Sequence, residues 1–439
     1  MAGARVPKPL GRIGRVRART SGMSVEFRPI TADELPAFTV AESAGFGEVP
    51  TEPWILEENR SVIELDRTLV AHDDDRIIAT TAIFSMGMTV PGGQTLPVAA
   101  VSSVTVAATH RRQGILKQMM QRQLDDVAAR GEPMAVLNAS EAPIYGRFGY
   151  GLASFFQQLH INPLRAAFRA PVDDSLKLRI IPKGEAKKEL AAIYDGLRPG
   201  RPGLLTHSDA WWDCVLSDHE DWRGGGQLLV VVCDPAPEGS AGAAGRGGFA
   251  IYTFDNDHPP GEWVVTLRTL AAQDPAVVAR LWRYILDLDL VGAVIGEAHP
   301  MDDPLRWLLH DPRQAHTTRV RDYLYVRLLD VERSLASRRY AVADTLVLDV
   351  VDQFRPATSG RYRVQGDGAE ASTVRLADDD PTPADLRLGI AELGSLYLGG
   401  VTARELAAAG HVAELTPGAV ERATAFFTWP VAPYCLTRF

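Results

Sequence analysis

The sequence predicts a mixed α/β fold that passes into α+β near its end, and three features carry that expectation. Through the first 160 residues, strands and helices follow the order β-α-β-β-β-α-β. Within that order, at Val101–Leu116, a β-branched run stops, a short basic turn with one glycine follows, and a helical pattern begins at once. Beyond Tyr325, strands come first and helices last, which is the α+β arrangement. A chain of 439 residues should hold roughly two to four domains rather than one core.

Composition narrows the class. With 46% hydrophobic and 23% charged residues the chain is an ordinary soluble globular protein. No apolar run approaches the ~20 residues needed to cross a bilayer. A net charge of −9 argues against nucleic acid and suits a cationic partner, although global charge locates no site. Cys214, Cys233 and Cys435 are far apart and lack metal-ligand spacing, which fits a reducing cytoplasm and predicts no metal. Residues 1–23 carry Arg5, Lys8, Arg12, Arg15, Arg17 and Arg19 without an acid or an apolar central region. They read as a disordered basic tail, with Met23 as an alternative start.

Taken in order, Val25–Ile30 predicts a strand, and Thr31-Ala32-Asp33-Glu34 a helix start with acids in its first turn; that helix ends near Gly45. Arg67–His72 and Ile77–Ile83 predict a hairpin around Asp73–Arg76, and Met86–Gly93 a third strand and turn. After the Val101–Val106 run, Ile115, Leu116, Met119, Met120, Leu124, Val127 and Ala128 recur at helical intervals. Gly131-Glu132-Pro133 breaks the chain, and Met134–Ala139 reads as a buried strand.

Further on, Trp211-Trp212-Asp213 opens a helix. Gln227–Cys233 and Gly248–Phe254 are hairpin strands joined by the low-complexity run Pro235–Gly247, expected as a mobile surface loop. Leu267–Leu270 followed by Asp274-Pro275 reads as strand, cap and helix. In the last part, Leu346, Leu348 and Val350 alternate, as do Tyr362 and Val364, and Leu386, Leu388 and Ile390. Thr402-Ala403-Arg404-Glu405 is a capping box, and Gly418–Phe427 a second helix.

The junction at Val101–Leu116 is the first candidate for chemistry. A strand–turn–helix junction offers unpaired backbone N–H groups at the positive end of a helix dipole, and Arg111 and Arg112 can pair with phosphate. No glycine-rich run precedes a Lys-Ser or Lys-Thr pair, which argues against a P-loop. Arg111-Arg112-Gln113-Gly114-Ile115-Leu116 resembles the pyrophosphate loop of the GNAT superfamily of N-acetyltransferases, except that Leu116 stands where that pattern has a small residue.

A second motif follows the Met134 strand: Ala139-Ser140-Glu141, then Ile144-Tyr145-Gly146-Arg147-Phe148-Gly149-Tyr150-Gly151. Together with Val104–Leu116 it strongly resembles the Eis (enhanced intracellular survival) family of aminoglycoside multi-acetyltransferases. The resemblance implies two GNAT-like domains in tandem, the second degenerate, then a sterol-carrier-protein-like domain in which Gly394–Gly399 matches a family segment. The corresponding divisions are 24–160, 161–325 and 326–439. The second domain lacks an Arg-x-x-Gly turn; its Ala271-Ala272-Gln273-Asp274 carries an acid that would repel a pyrophosphate.

The resemblance further implies acetyl-CoA as co-substrate and no metal. Val104, Thr105 and Val106 would lie along its pantetheine arm. Arg112, Gln113, Gly114, Ile115, Leu116 and Lys117 would surround its pyrophosphate, with Ser140 and Glu141 also touching it. Tyr145 would be the general acid, since a phenol with a pKa of ~10 is protonated at neutral pH; Tyr150 is the rival, and either could merely anchor a loop. The base would be the α-carboxylate of Phe439, the last residue of an apolar terminus, although an ordinary α-carboxyl at ~3.5 is a weak base unless burial raises it.

The acceptor site would involve Glu48, Trp54 and Ser103. Here the chain departs from the family, with Ser103 in place of an aromatic residue and Arg438 in place of an acid before the terminal phenylalanine. The expected activity is acetyl transfer to a small cationic, aminoglycoside-like amine by direct attack in a ternary complex. Alternatives are a protein-lysine or polyamine acetyltransferase and a non-catalytic CoA- or lipid-binding scaffold. The family implies a homohexamer. Nucleic acid and membrane spans are not expected.

Overall fold

A computed structural model of the chain describes residues 25–48, 53–219, 227–235 and 247–439. The expected basic tail lies outside the described residues, as do residues 236–246 of the low-complexity run.

The first sheet receives β1 (Glu26–Arg28), β2 (Leu69–Asp73), β3 (Arg76–Thr89), β4 (Thr95–Val106), β5 (Met134–Asn138) and β6 (Gly151–Leu152). The chain then builds a second sheet from β7 (Phe155–Ile161), β8 (Leu178–Ile181), β9 (Leu228–Cys233), β10 (Gly248–Asp255), β11 (Trp263–Ala271), β12 (Val291–His299) and β13 (His316–Asp322). It returns to the first sheet as β14 (Leu324–Leu328) and makes a third from β15 (Asp344–Val351), β16 (Gly360–Gly366), β17 (Ala371–Arg375), β18 (Leu386–Gly389) and β19 (Val412–Glu414). The spatial orders are β1-β2-β3-β4-β5-β14-β6, β13-β7-β12-β11-β10-β9-β8 and β17-β16-β15-β18-β19.

The first and second sheets are therefore interleaved in sequence. β14 inserts antiparallel between β5 and β6, with Val326 opposite both Val136 and Gly151. Divisions at 160/161 and 325/326 fall within β7 and β14, so no cut there separates whole sheets.

Helices follow their local signals. Thr31 forms a capping box with Glu34, after which α1 (Leu35–Phe46) runs to Gly47 at φ +82°. α2 (Pro53–Val62) is absent from the sequence expectations; none of its residues is fully buried, and Leu56 and Val62 pack partly buried against the apolar cores. α3 (Ile115–Ala129) and α4 (Ala142–Tyr145) flank β5, and α5 (Lys183–Leu197) and α6 (Asp209–Val215) belong to the second unit. Trp211 and Trp212 lie inside α6, whose N-cap Ser208 accepts a bond from the Trp211 amide. Asp274 caps α7 (Pro275–Leu286) as expected, and Thr402 and Glu405 form both bonds of their capping box.

Two strand expectations are corrected. The third strand placed at Met86 is the second half of β3, because Phe84 and Ser85 give the chain no reason to break. Ile390 does not extend the alternation of Leu386 and Leu388; it begins the helix Ile390–Tyr397.

One apolar core spans the first and third units. Phe84, Met86 and Met88 of β3 and Leu96 and Val98 of β4 pack with Leu324, Val326 and Leu328 of β14 and with Leu346, Leu348, Leu393, Phe426 and Phe427. Inside the third unit the guanidinium of buried Arg338 donates to the carbonyls of Leu396, Tyr397 and Phe427 and lies over the Tyr340 ring at 4.6 Å. Among the described residues no helix is long and apolar enough to cross a membrane.

The helix Ile390–Tyr397 lies backbone to backbone on β6: a Cβ added at Gly151 would stand 1.7 Å from the Ala391 carbonyl oxygen and 2.6 Å from the Ser395 nitrogen. Gly151→Ala should destabilise the protein by about 3 kcal/mol, the range of an overpacked core. Gly184→Ala in α5, where an added Cβ meets nothing within 4 Å, should not lower the calorimetric melting temperature.

Candidate active site

The site begins with a defect in the pairing of β3 and β4. Thr80 faces Thr105 and Ala82 faces Ser102, so Ser103 and Val104 stand opposite the single residue Thr81. Ser103 takes φ +56°, costly without glycine, and threonine hydroxyls hold the strained segment: Thr80 Oγ1 donates to the Ser103 carbonyl at 2.7 Å and Thr81 Oγ1 to that of Ser102 at 3.2 Å.

Beyond the bulge the sheet opens. β4 and β5 pair in parallel only at Ala99–Val101 with Ala135–Leu137. β4 runs on to Val106 along β3, while β5 runs on to Asn138 along β14. The β4 edge that faces β5 from Ser102 to Val106 has no strand partner among the described residues; Arg111 Nε donates to the Val106 carbonyl at 3.2 Å, and the rest of the edge is open to an extended ligand.

At the end of β4 the chain makes a one-turn helix (Ala108–His110), passes Arg112 at φ +64° and reaches Gly114 at φ +83°, the N-cap of α3. Space does not demand a glycine there, since an added Cβ would meet nothing within 4 Å; the backbone angle does. No side chain caps α3, so its first-turn N–H groups keep their dipolar charge for a ligand.

The opening forms a cavity of about 1080 Å³. Of the sequence candidates, Val104, Thr105, Val106, Arg112, Gly114, Ile115, Leu116, Lys117, Ser140, Glu141 and Tyr145 line it. Gln113 is exposed and turned back, its side chain donating to the Thr109 carbonyl at 3.4 Å. Gly45, Phe46, His110, Arg111, Ile144, Arg147, Phe148, Gln353 and Phe354 complete the lining. The cations Arg111, Arg112, Lys117 and Arg147 against the single acid Glu141 fit an elongated polyanion with an apolar stretch. Among the described residues no group of three His, Cys, Asp or Glu side chains could hold a metal ion.

The two tyrosines separate. Tyr145, at the end of α4, is 4% exposed, lines the cavity and hydrogen-bonds to Ser140. Burial pushes its phenol up to about 12, against the bond from Ser140 and helped by the charge of Glu141. The Tyr150 ring packs edge-on to it, centroids 6.0 Å apart, but its hydroxyl is buried without a hydrogen-bond partner and outside the cavity lining.

The terminal segment runs from the third unit to the end of β5, and Phe439 is not among the residues that line the cavity. Along the terminal segment, Arg201 Nη1 donates to the Ala432 carbonyl at 2.7 Å, and the Tyr434 hydroxyl to that of Ala298 at 2.6 Å. Thr437 Oγ1 meets His207 Nε2 at 2.7 Å, and the Tyr323 hydroxyl donates to the Thr437 carbonyl at 3.1 Å. Finally the Phe439 N–H donates to Asn138 Oδ1 at 3.5 Å, at the divergent end of β5. Arg438 beside it is exposed.

The acceptor candidates are scattered. Glu48 is exposed beyond the end of α1, and Trp54 stacks on His219 with centroids 4.1 Å apart; neither lines the cavity. Ser103 is buried on the bulge and meets a residue that sequence reasoning missed, Glu42. α1 presses onto β4 at Gly45, where a Cβ would stand 2.4 Å from that of Thr105, and Glu42 lies three residues earlier. Its carboxyl hydrogen-bonds to Ser103 and Asn59; burial raises its pKa, Glu48 adds to the rise, and the two bonds oppose it. An acid in a helix ordinarily reads as solvated, and only the α1–β4 contact marks this one.

Comparison with known proteins accords with this geometry. The acetyltransferase (GNAT) domain matches residues 26–153 and, in a second form, 203–328; the sterol carrier protein domain matches 331–436. An uncharacterized N-acetyltransferase of Streptomyces coelicolor is 39% identical over 424 residues, covering 94% of this chain and 99% of that protein. N-acetyltransferase Eis of Mycobacterium tuberculosis is 31% identical over 406 residues, covering 89% and 93%. The crystal structure of Eis1 from Mycobacterium abscessus superposes with a TM-score of 0.80 at 30% identity, over 94% of this chain and all of that one. Fold and cavity thus define an N-acetyltransferase with two GNAT domains and a sterol-carrier-like third. More narrowly, the chain belongs to the Eis family.

The raised pKa of Glu42 has a sign that can be tested. A carboxyl that holds its proton more tightly when folded than its ordinary 4.5 weakens folding as pH climbs from 4.5 through the raised value. Glu42→Gln should therefore melt higher than wild type at pH 7–8, with the difference fading toward pH 4.

Proposed function

We propose that the protein transfers an acetyl group from acetyl-CoA to an amine of a small cationic, aminoglycoside-like acceptor, by direct attack in a ternary complex. The observation that carries this reading is the continuous cavity of about 1080 Å³ from the uncapped, arginine-flanked start of α3 to the Tyr145 phenol. When bound, acetyl-CoA supplies the activated thioester.

The chain's residues divide the remaining work. Arg112, Lys117 and the first-turn amides of α3 hold the diphosphate, while the open β4 edge at Val104–Val106 pairs with the amide arm beyond it. Ser140 and Glu141 flank Tyr145. Its elevated pKa keeps the phenol protonated, so it presents an O–H to the departing sulfur. A proton transfer on its own from a group near 12 to a thiolate of ordinary pKa ~8.5 is uphill. Tyr145 therefore gives its proton in concert with proton loss from the attacking amine. The α-carboxylate of Phe439 takes that proton and holds the amine's charge; the bond from its N–H to Asn138 supports this role.

Exposed Arg438 beside the terminus repels a polycation and favours a second reading, an acceptor with one or few charges such as a polyamine or a protein lysine. Assembly as a homohexamer in the cytoplasm belongs to the family resemblance, and analytical ultracentrifugation tests the assembly.

Acetylation assays across aminoglycosides, polyamines and lysine peptides distinguish the acceptor classes; turnover of none, with no acetyl-CoA binding by calorimetry, would overturn the reading. Tyr145→Phe should lower kcat about 10²–10⁴-fold with acetyl-CoA affinity nearly unchanged, whereas Tyr150→Phe should leave kcat close to wild type. One residue added after Phe439 should nearly abolish turnover while the melting temperature holds.

A further inference from the structure

The cofactor cavity has a wall that neither GNAT domain supplies. Gln353 and Phe354, in the loop after β15 of the third domain, line it beside Ile144, Arg147 and Phe148. The Phe354 ring meets Phe148 edge-on, centroids 5.0 Å apart and planes at 70°, and packs in the same apolar cluster as Leu116 and Ile144.

Three attachments hold this loop. Asp352 Oδ1 accepts the amides of Phe354 at 3.0 Å and Arg355 at 2.9 Å, while the Asp352 amide donates to Ser359 Oγ at 2.8 Å. Asp352 Oδ2 pairs with Arg327 of β14, and neither side chain has exposed surface. Arg327 in turn lies against Gly149, where an added Cβ would stand 2.8 Å from the guanidinium carbon. Arg355 pairs with Asp125 of α3.

We propose that the third domain is a working part of the cofactor site. In this arrangement Phe354 and Gln353 contact acetyl-CoA, and Asp352, anchored by Arg327, is the residue that positions them. The proposal rests on the acetyl-CoA reading above. A buried ion pair is a poor source of net stability, because desolvation of both charges offsets their attraction. Its value here is geometric. Arg327 belongs to the sheet that holds β5, so the pair fixes a third-domain loop relative to the strands that open the cavity. Phe354 offers an apolar face and Gln353 one donor and one acceptor group, the chemistry that an amide-bearing aliphatic arm requires. The third domain makes this contact by docking on α3 and on the segment after α4.

Calorimetric titration of the full chain with acetyl-CoA, with steady-state kinetics, tests this. Phe354→Ala should weaken acetyl-CoA binding about tenfold and raise its KM in parallel, with the KM for the amine within about twofold of wild type. Asp352→Ala should show the same split although Asp352 does not line the cavity. The double variant Arg327→Met with Asp352→Asn keeps an oxygen for the two amides and leaves no unpaired buried charge, so it should recover most of the affinity. Arg112→Ala, at the phosphate end, reports on the acetyl-CoA reading itself. If wild type binds, Arg112→Ala loses affinity, and Phe354→Ala and Gln353→Ala both bind like wild type, the third-domain wall is overturned while the reading stands. Failure of the wild type to bind acetyl-CoA overturns both. Should Asp352→Ala not fold, Phe354→Ala, at a partly exposed position, still decides the matter.

Discussion

Among the described residues β4 pairs with β5 only at Ala99–Val101 and Ala135–Leu137, and past Val101 the bulge at Ser103 turns β4 aside. A parallel pair that continued to Val106 would satisfy every backbone group and leave no cleft. By stopping after three residues the sheet leaves one polar edge open beside a helix start that no side chain caps. Thr80, Thr81 and Gly45 serve that opening: two threonines hold the strained bulge, and the glycine lets α1 press against Thr105. The cavity is thus a property of interrupted pairing more than of any one side chain.

The second unit repeats the geometry and uses it differently. β11 and β12 also run parallel, from Trp263 to Leu267, and their pairing also ends before the strands do. Tyr434, on the chain's own terminal segment, enters that region with its hydroxyl on the Ala298 carbonyl and its ring in the cluster that includes Ala271. In the turn that follows β11, Gln273 bonds to the Leu197 carbonyl and Asp274 caps α7, so this turn's polar groups serve the fold. The second cleft therefore holds the terminal segment on its way to the end of β5, and β14 and the Arg327–Asp352 pair join the first and third units.

This interleaving explains why the chain could be read well in pieces and poorly at its seams. Strand and helix signals such as the Thr402 capping box and the Asp274-Pro275 start depend on neighbours a few residues away, and they form as their residues dictate. The divisions at 160/161 and 325/326 fall inside β7 and β14, strands whose place in a sheet is set by pairing with distant residues. α2 went unread although Leu56 and Val62 on it pack partly buried against the apolar cores.

By itself, the sequence determined the class of each layer and the glycine turn before α3, because backbone angles and short-range periodicity are local properties; the Ile-Tyr-Gly-Arg motif stood out through its resemblance to a family. Only the tertiary structure decided that Tyr145 and not Tyr150 lines the cavity and that Gln113 turns away from it. It alone showed that Glu42 rests against Ser103 and that a loop more than two hundred residues from the glycine turn before α3 brings Phe354 to the cavity. Burial and proximity across such separations arise from packing, which sums contacts from the whole chain and leaves no mark in any one stretch of it.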